Sequence, residues 1–287
     1  MVLDPQLVWN GLVVGSIIAV SALGLTLIFG ILNFINIAYG DYMAAGAYVA
    51  WAVNAQVGLP IGVAIVAGVL FMSVGSVVLD KLVFQHFRTR SPITLLIVSI
   101  GVAFFIRNLL RAIWGPSGHF YDLPLEASPS FVGVRFSIEQ VAIMVTSLLL
   151  LLGVYVMLRR TRVGIAMRAA SDDRMLSRIR GVDTEKRVLY VWLIGGGIAV
   201  LGGIMLVLDA QIRPNMGFTA LIAIFAAVIL GGIGDPKGAV AGGYTIGLAQ
   251  EVSVAVIPSE YKFGVGLVAL IVGLLTRPDG LFGEATR

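Results

Sequence analysis

Leu7-Val-Trp-Asn-Gly-Leu-Val-Val-Gly-Ser-Ile-Ile-Ala-Val-Ser-Ala-Leu-Gly-Leu-Thr-Leu-Ile-Phe-Gly-Ile-Leu32 contains no charged side chain. A bilayer core about 30 Å thick is crossed by about 20 apolar residues in an α-helix. Lipid offers no partner for a backbone N–H or C=O, so an apolar run of this length is read as a helix and not as strands. The rest of the chain follows the same pattern. Only 13% of the 287 residues are charged and 58% are apolar. A soluble domain carries about 25% and about 45–50%. With short connections there is room for roughly eight or nine spans. The predicted fold class is therefore all-α: a polytopic membrane protein of about eight or nine segments, some broken or re-entrant, forming one transmembrane domain over residues 1–287.

Several function classes fall away on composition. The formal net charge of +4 reads as membrane topology, since Lys and Arg gather in cytoplasmic loops, and not as a nucleic-acid footprint. There is no cysteine, which removes disulfides and thiolate metal sites. His86 and His119 fall in different predicted loops, so no histidine metal site is expected. Met1-Val-Leu-Asp-Pro-Gln6 has no Lys or Arg, and a cleaved signal needs a positive n-region. The first run is accordingly read as a retained span with its N-terminus outside.

Further spans are predicted from about Pro60 to Val83, Pro92 to Trp114, Phe136 to Leu158 and Val188 to Leu208. Lys81, Arg88 and Arg90 mark an inner end, and Ser91-Pro92 suits a helix start. Gly115 to Arg135, with Pro116, Pro124 and Pro129, is placed outside, as is Asp209 to Gly217. Phe218 to Ile233, Ala239 to Ile257 and Phe263 to Thr276 supply three more apolar segments. Gly234-Asp-Pro-Lys-Gly238 forms an inner turn, and the tail from Arg277 ends inside. The second segment is irregular: Asn33-Phe-Ile-Asn-Ile-Ala-Tyr-Gly-Asp41 is polar, and a small-residue helix resumes from Met43 to Val53.

The loop 159–187 carries nine Lys/Arg against four acids, which sets it in the cytoplasm. Within it, Ser171 is read as the N-cap of a short helix. Asp172 and Asp173 fall in its first turn and Arg178 and Arg180 in its last, both matching the helix dipole. Gly181 closes it, and Met175, Leu176 and Ile179 share one face. Such a helix lies on lipid headgroups or docks into a groove on a cytoplasmic partner, and the pattern suits either.

Gly195-Gly-Gly197, Gly202-Gly203, Gly231-Gly232, Gly238 and Gly242-Gly243 cluster in the C-terminal half, where small residues let helices approach closely. The same residues suit an interface that slides. An echo between Gly40-Asp41 and Gly234-Asp235 hints at duplication.

No Ser/His/Asp set or other catalytic constellation is present. Lys237 follows Pro236, not the Gly of a Walker A loop, so uphill work would draw on an ion gradient or a separate ATPase. Deep ionisable groups are few. Arg107 and Arg111 share a face near the outer end of the fourth span, where they either snorkel to the surface, the reading favoured here, or meet substrate; Glu251 falls near the outer end of its span. Asn33, Asn36, Tyr39 and Asp41 flank the break after the first span. They either line a pathway, since broken helices are tolerated around a cavity, or form a polar inner loop at the headgroups.

Three stretches resemble one family. They are Gly24-Leu-Thr-Leu-Ile-Phe-Gly-Ile-Leu-Asn-Phe-Ile-Asn-Ile-Ala-Tyr-Gly-Asp-Tyr-Met43 with Gly46-Ala-Tyr48; Gly164, Arg168-Ala-Ala-Ser-Asp-Asp173 and Gly181-Val-Asp183; and Leu230-Gly-Gly-Ile-Gly234 through Gly238-Ala-Val-Ala-Gly-Gly243 to Arg277-Pro-Asp-Gly-Leu-Phe-Gly283. In order and spacing they resemble the inner-membrane permease subunits of high-affinity branched-chain amino acid ABC importers. The resemblance implies alternating access, a second homologous permease subunit, two ATP-binding cassette subunits that hold ATP and Mg, and an external solute-binding protein. This chain would hold no cofactor and catalyse nothing. It also implies that Ser171, Asp172, Asp173, Met175, Leu176, Arg178, Ile179 and Arg180 form the helix coupled to the ATPase. Urea and short-amide permeases look similar, and an ion-coupled transporter or channel is the alternative from another class. Many relatives have His at Tyr39, Lys at Ala223 and a basic residue at Ile165.

Overall fold

The structure, a computed structural model, describes residues 4–123, 130–131, 134–172, 184–276 and 280–282. Helix α1 (Pro5–Leu32) opens with Asp4 accepting from the Gln6 N–H and with Pro5 in the first turn. It closes at Asn33, whose N–H donates to Phe29 O. Asn33 has φ 56°, the one non-glycine positive φ among the described residues. A left-handed residue there stops the helix and turns the chain back. Helix α2 (Tyr39–Trp51) widens into a π turn over Ala52–Gln56. Helix α3 (Ile61–Leu79) widens likewise over Asp80–Phe84 and ends at Phe87. Helix α4 (Pro92–Trp114) starts where expected, with Ser91 accepting from the Thr94 N–H.

A two-residue ribbon, β1 (Ser130–Phe131) against β2 (Val134–Arg135), precedes α5 (Ile138–Arg160). Then come α6 (Arg162–Asp172), α7 (Thr184–Asp209), α8 (Met216–Gly231), α9 (Pro236–Ser253) and α10 (Lys262–Thr276). Among the described residues six helices are long and apolar enough to cross a membrane: α1, Ile61–Phe87, α4, α5, Glu185–Asp209 and Ser259–Thr276. Helices α2, α8 and α9 complete the bundle, and α8 is a shorter apolar helix. One end of the bundle carries Lys81, Arg88, Arg90, Arg159 and Arg160. It is the basic end.

Burial sorts the helices into centre and rim. The apolar core of α1 is 83% buried inside the protein and that of α5 only 22%, although both are apolar all round. Val63, Val66, Leu70 and Phe71 of α3 are exposed, as are Leu148, Leu149 and Leu152 of α5 and Val268, Ile271 and Val272 of α10. These are the faces a bilayer covers. At the centre, α1 and α9 pack backbone to backbone. Gly247 lies on the Gly15 backbone, Gly243 on Ala19, and Gly11 against Leu248. With lipid as apolar as any side chain, close van der Waals fit holds such pairs together. The glycine clusters therefore serve packing, as Gly203 on the Met43 backbone also shows.

The basic loop departs from expectation at its start. Thr161 begins α6: its hydroxyl accepts from the Gly164 N–H at 3.1 Å and donates to Met157 O at 2.7 Å. Gly164 lies directly on the α5 backbone at Met157 and Leu158, where no side chain fits. That cap is ten residues before Ser171, and Ser171 and Asp172 are the last two described residues of α6. Asp173 to Arg180, with Met175, Leu176, Arg178 and Ile179, lie outside the described residues.

Replacing Gly247 by Ala puts a methyl group onto the Gly15 backbone. The expected cost is on the order of 1–3 kcal/mol, read as a lower thermal midpoint of the purified protein in detergent. Gly153→Ala, where nothing lies within 4 Å, should leave that midpoint unchanged or raised.

Candidate functional site

Two helices begin part-way through the bundle. After Asn33 the chain runs back alongside α1, held by Ser99 Oγ accepting from the Ile37 N–H at 3.1 Å and by Asn36 Oδ1 accepting from the Ala38 N–H at 3.0 Å. Tyr39, the first residue of α2, sets its hydroxyl against Gly24, about two turns before the end of α1. Helix α2 thus starts alongside α1, with its first side chain reaching well back from the basic end. From the opposite end, the chain after α7 pairs Ile212 with His119 and then turns inward to begin α8 at Met216. The two starts meet. Gly40 and Gly217 each occupy the space where the other would carry a Cβ. Any side chain at either position would force the two helix starts apart.

Neither start has a side-chain cap: Ala38 cannot supply one, and Asn215 does not. The positive ends of two helix dipoles therefore converge at one place. Asp41, in the first turn of α2, lies there with no exposed surface. Arg107 of α4 reaches it with two parallel bonds, Nε to Oδ1 at 3.0 Å and Nη2 to Oδ2 at 2.9 Å. The guanidinium also lies 4.4 Å from the ring centroid of Phe218 and 5.5 Å from that of Phe104.

The snorkelling expected of Arg107 is thus overturned. Arg107 shares the buried face of α4 with Ala103, Ile106 and Leu110 and is 8% exposed, whereas Arg111, a turn further on, is exposed. The available signal was scarcity: a lone acid beside a break and a lone base deep in a span call for each other, because an unpaired intramembrane charge is costly.

The four candidates at the break divide. Asn36, Tyr39 and Asp41 are all fully buried inside the protein. Asn33 is exposed and serves as the α1 cap. The Gly40 motif finds its structural counterpart in Gly217, not in the similar Gly234-Asp235. Asp235 instead caps α9 by accepting from the Lys237 N–H. Glu251 forms a local pair with Lys262 at 2.8 Å. Ala223 is buried on α8, and Ile165 is exposed.

A second polar string, which the sequence reading missed, runs from the break toward the basic end. The Tyr42 hydroxyl faces Asn36, and the Trp192 indole N–H faces Asp80, both outside hydrogen-bonding geometry. Trp192 stacks on Phe84 at 5.2 Å. Asp80, buried at the start of the α3 π turn, pairs with Arg88, whose other end bonds Glu185 at 2.8 Å. Glu185 stands in the first turn of α7, at the C-terminal end of the basic loop. π turns recur where a helix must re-aim a functional side chain. No group of three or more His, Cys, Asp or Glu that could hold a metal occurs among the described residues.

Comparison with known proteins covers nearly the whole chain. A family model described as a branched-chain amino acid transport system permease component matches residues 7–275. The high-affinity branched-chain amino acid transport system permease protein LivH of Escherichia coli K12 is 29% identical over 97% of this chain and 95% of its own. BraD of Pseudomonas aeruginosa, described in the same words, is 31% identical over 96% and 94%. The probable LivH of Methanocaldococcus jannaschii is 30% identical over 99% and 92%. Among solved structures, PsaBC from Streptococcus pneumoniae in complex with Fab superposes with a TM-score of 0.53 over 95% of this chain and 92% of that one, at 14% identity, a likeness of fold. A multi-pass bundle with two interrupted helices, matched end to end by these permeases, belongs to the family of permease components of branched-chain amino acid transport systems.

Proposed function

We propose that this chain is one of a pair of homologous permease subunits that carry branched-chain amino acids inward across the cell membrane by alternating access. ATP hydrolysis is performed on two separate ATP-binding cassette subunits, where ATP and Mg bind, and an external solute-binding protein delivers the substrate. The observation that carries this reading is the meeting of α2 and α8 at Gly40 and Gly217 with the Asp41–Arg107 pair beside it. Membrane transporters place binding sites near the midplane, at discontinuous helices whose half-helix ends contribute fixed partial charge. Similarity over nearly the whole chain to LivH and BraD, named as branched-chain amino acid permeases, supports the substrate class.

The basic end faces the cytoplasm and the N-terminus faces out, since Lys and Arg concentrate at Arg88, Arg90 and through 159–187. The Ser171–Arg180 segment seats in the ATPase. Arg88 ties the start of α7, just beyond that loop, to Asp80 in α3. Movement of the loop is thereby passed to the string leading to Asn36 and Tyr42.

Uptake of labelled leucine into cells or proteoliposomes holding the complete complex, with ATP inside, tests the reading. Isoleucine and valine should compete and urea should not. Competition by urea but not by valine sinks the substrate assignment, and uptake by this chain alone without ATP sinks the ABC assignment. A second measurement addresses the loop. Met175→Asp combined with Arg178→Glu should leave the protein in the membrane while uptake per ATP hydrolysed collapses; an unchanged ratio removes the coupling helix from that segment.

The Arg88 clamp gives a paired prediction. Arg88→Met strands the buried Asp80 carboxylate and should cost about 3–5 kcal/mol, seen as a large drop in thermal midpoint. Glu185 is exposed, so Glu185→Gln should cost less than about 1 kcal/mol while lowering uptake per ATP. Wild-type coupling in Glu185→Gln would show that the clamp transmits nothing.

A further inference from the structure

We infer that the Asp41–Arg107 pair is itself the recognition site for the backbone of an α-amino acid: the two side chains part, Arg107 takes the α-carboxylate and Asp41 takes the α-ammonium. The inference rests on the permease reading above and names the groups that would carry its selectivity.

The geometry is that of a surrogate. Arg107 presents Nε–H and Nη2–H side by side, and the Asp41 carboxylate fills that fork at 3.0 and 2.9 Å. An α-carboxylate has the same planar pair of oxygens and fits the same fork. Asp41, once released, offers both oxygens to an ammonium group. The exchange conserves charge. One neutral ion pair and one neutral zwitterion become two crossed ion pairs, so no proton or ion has to move with the substrate. Arg111 adds a second cation whose field reaches Asp41, which steadies the carboxylate while Arg107 turns away.

The surroundings supply the remaining requirements. Two uncapped helix starts meet beside the pair, and they favour the carboxylate end of an incoming molecule. The pair lies near a surface of this chain and not at its centre. Phe104 and Phe218, whose rings lie against the Arg107 guanidinium, are exposed, an apolar rim suited to a branched side chain. Asn108 and Thr219 are exposed on the same two helices. A role in stability alone fits less well, since a buried ion pair is often no better than two apolar residues of similar size. Arg107 also holds further N–H donors beyond the two that Asp41 accepts.

The test uses the complete complex in proteoliposomes with the solute-binding protein outside and ATP inside. Asp41→Asn and Arg107→Gln each leave one buried charge without its partner, so a purely structural pair and a recognition pair both predict a fall in uptake. The double variant D41N/R107Q separates them. It holds no unpaired charge, and a structural pair predicts that uptake returns. Recognition predicts that leucine uptake stays down by about a hundredfold, although the variant copurifies with its partner subunits and melts within a few degrees of wild type. Recovery of uptake in D41N/R107Q overturns the inference and leaves the permease reading standing. If the double variant fails to assemble, Arg107→Lys decides: its single ammonium keeps the charge but not the fork. Recognition then requires a raised KM for leucine at the permease step with the complex intact, and an unchanged KM overturns it. Failure of the wild-type complex to take up any branched-chain amino acid overturns the permease reading itself.

Discussion

A chain inside lipid cannot leave the helical conformation unless protein encloses the freed backbone, and this bundle leaves it twice. The two departures are stacked on each other. The stretch after Asn33 and the stretch after Asp209 both run inward, and the helices they start touch at Gly40 and Gly217. Each interruption forms part of the enclosure of the other. The surrounding small residues follow from that contact. Gly24 makes room for Tyr39, Gly46 for Val200, and Gly203 for the Met43 backbone. Without these, α1 and α7 could not close around α2, and the break would face lipid.

The enclosure also explains how a carboxylate can persist at that depth. Asp41 has a guanidinium in bidentate contact and two helix starts beside it. Other groups nearby are less well served. The hydroxyls of Tyr39, Tyr42 and Thr26 and the Asn36 amide nitrogen are buried without partners. Buried polar groups are usually satisfied, and each exception carries a cost. Here most of the exceptions gather along α2 and the turn before it, with Thr26 on α1. They raise the energy of the present arrangement and so narrow the gap to a second one. A bistable packed element is what a transporter needs.

Much of this was legible from residue order. Runs such as Leu7–Leu32 and Pro92–Trp114 gave their helices directly, because length and apolarity decide spanning. Ser91-Pro92 marked a helix start through local capping chemistry, whereas Asp235-Pro236, read as part of a turn, also caps a helix. The polarity of Asn33 to Asp41 located the break but not its depth, which depends on how far the chain folds back along α1. The partner of Arg107 was hidden for a related reason. Whether an arginine near a span's end reaches out or in depends on which face of α4 the neighbouring helices cover. Ser171 looked like a cap because Ser followed by two acids favours one. Thr161 and the contact of Gly164 with α5 start an earlier helix, and Ser171 and Asp172 are its last described residues.

One oddity of α1 concerns its surface. It lies well inside the bundle, packed against α7, α8 and α9. In the finished bundle little of α1 touches lipid, while α5, mostly exposed, is hardly more apolar. A helix in a protein interior has no need of such a surface against lipid. Helix α9 shows the converse. Rich in glycine and carrying Gln250 and Glu251, it falls outside the six helices long and apolar enough to span, and α1 covers one of its faces at Gly15 and Ala19. The apolar surface of α1 thus serves a more polar neighbour and not the lipid.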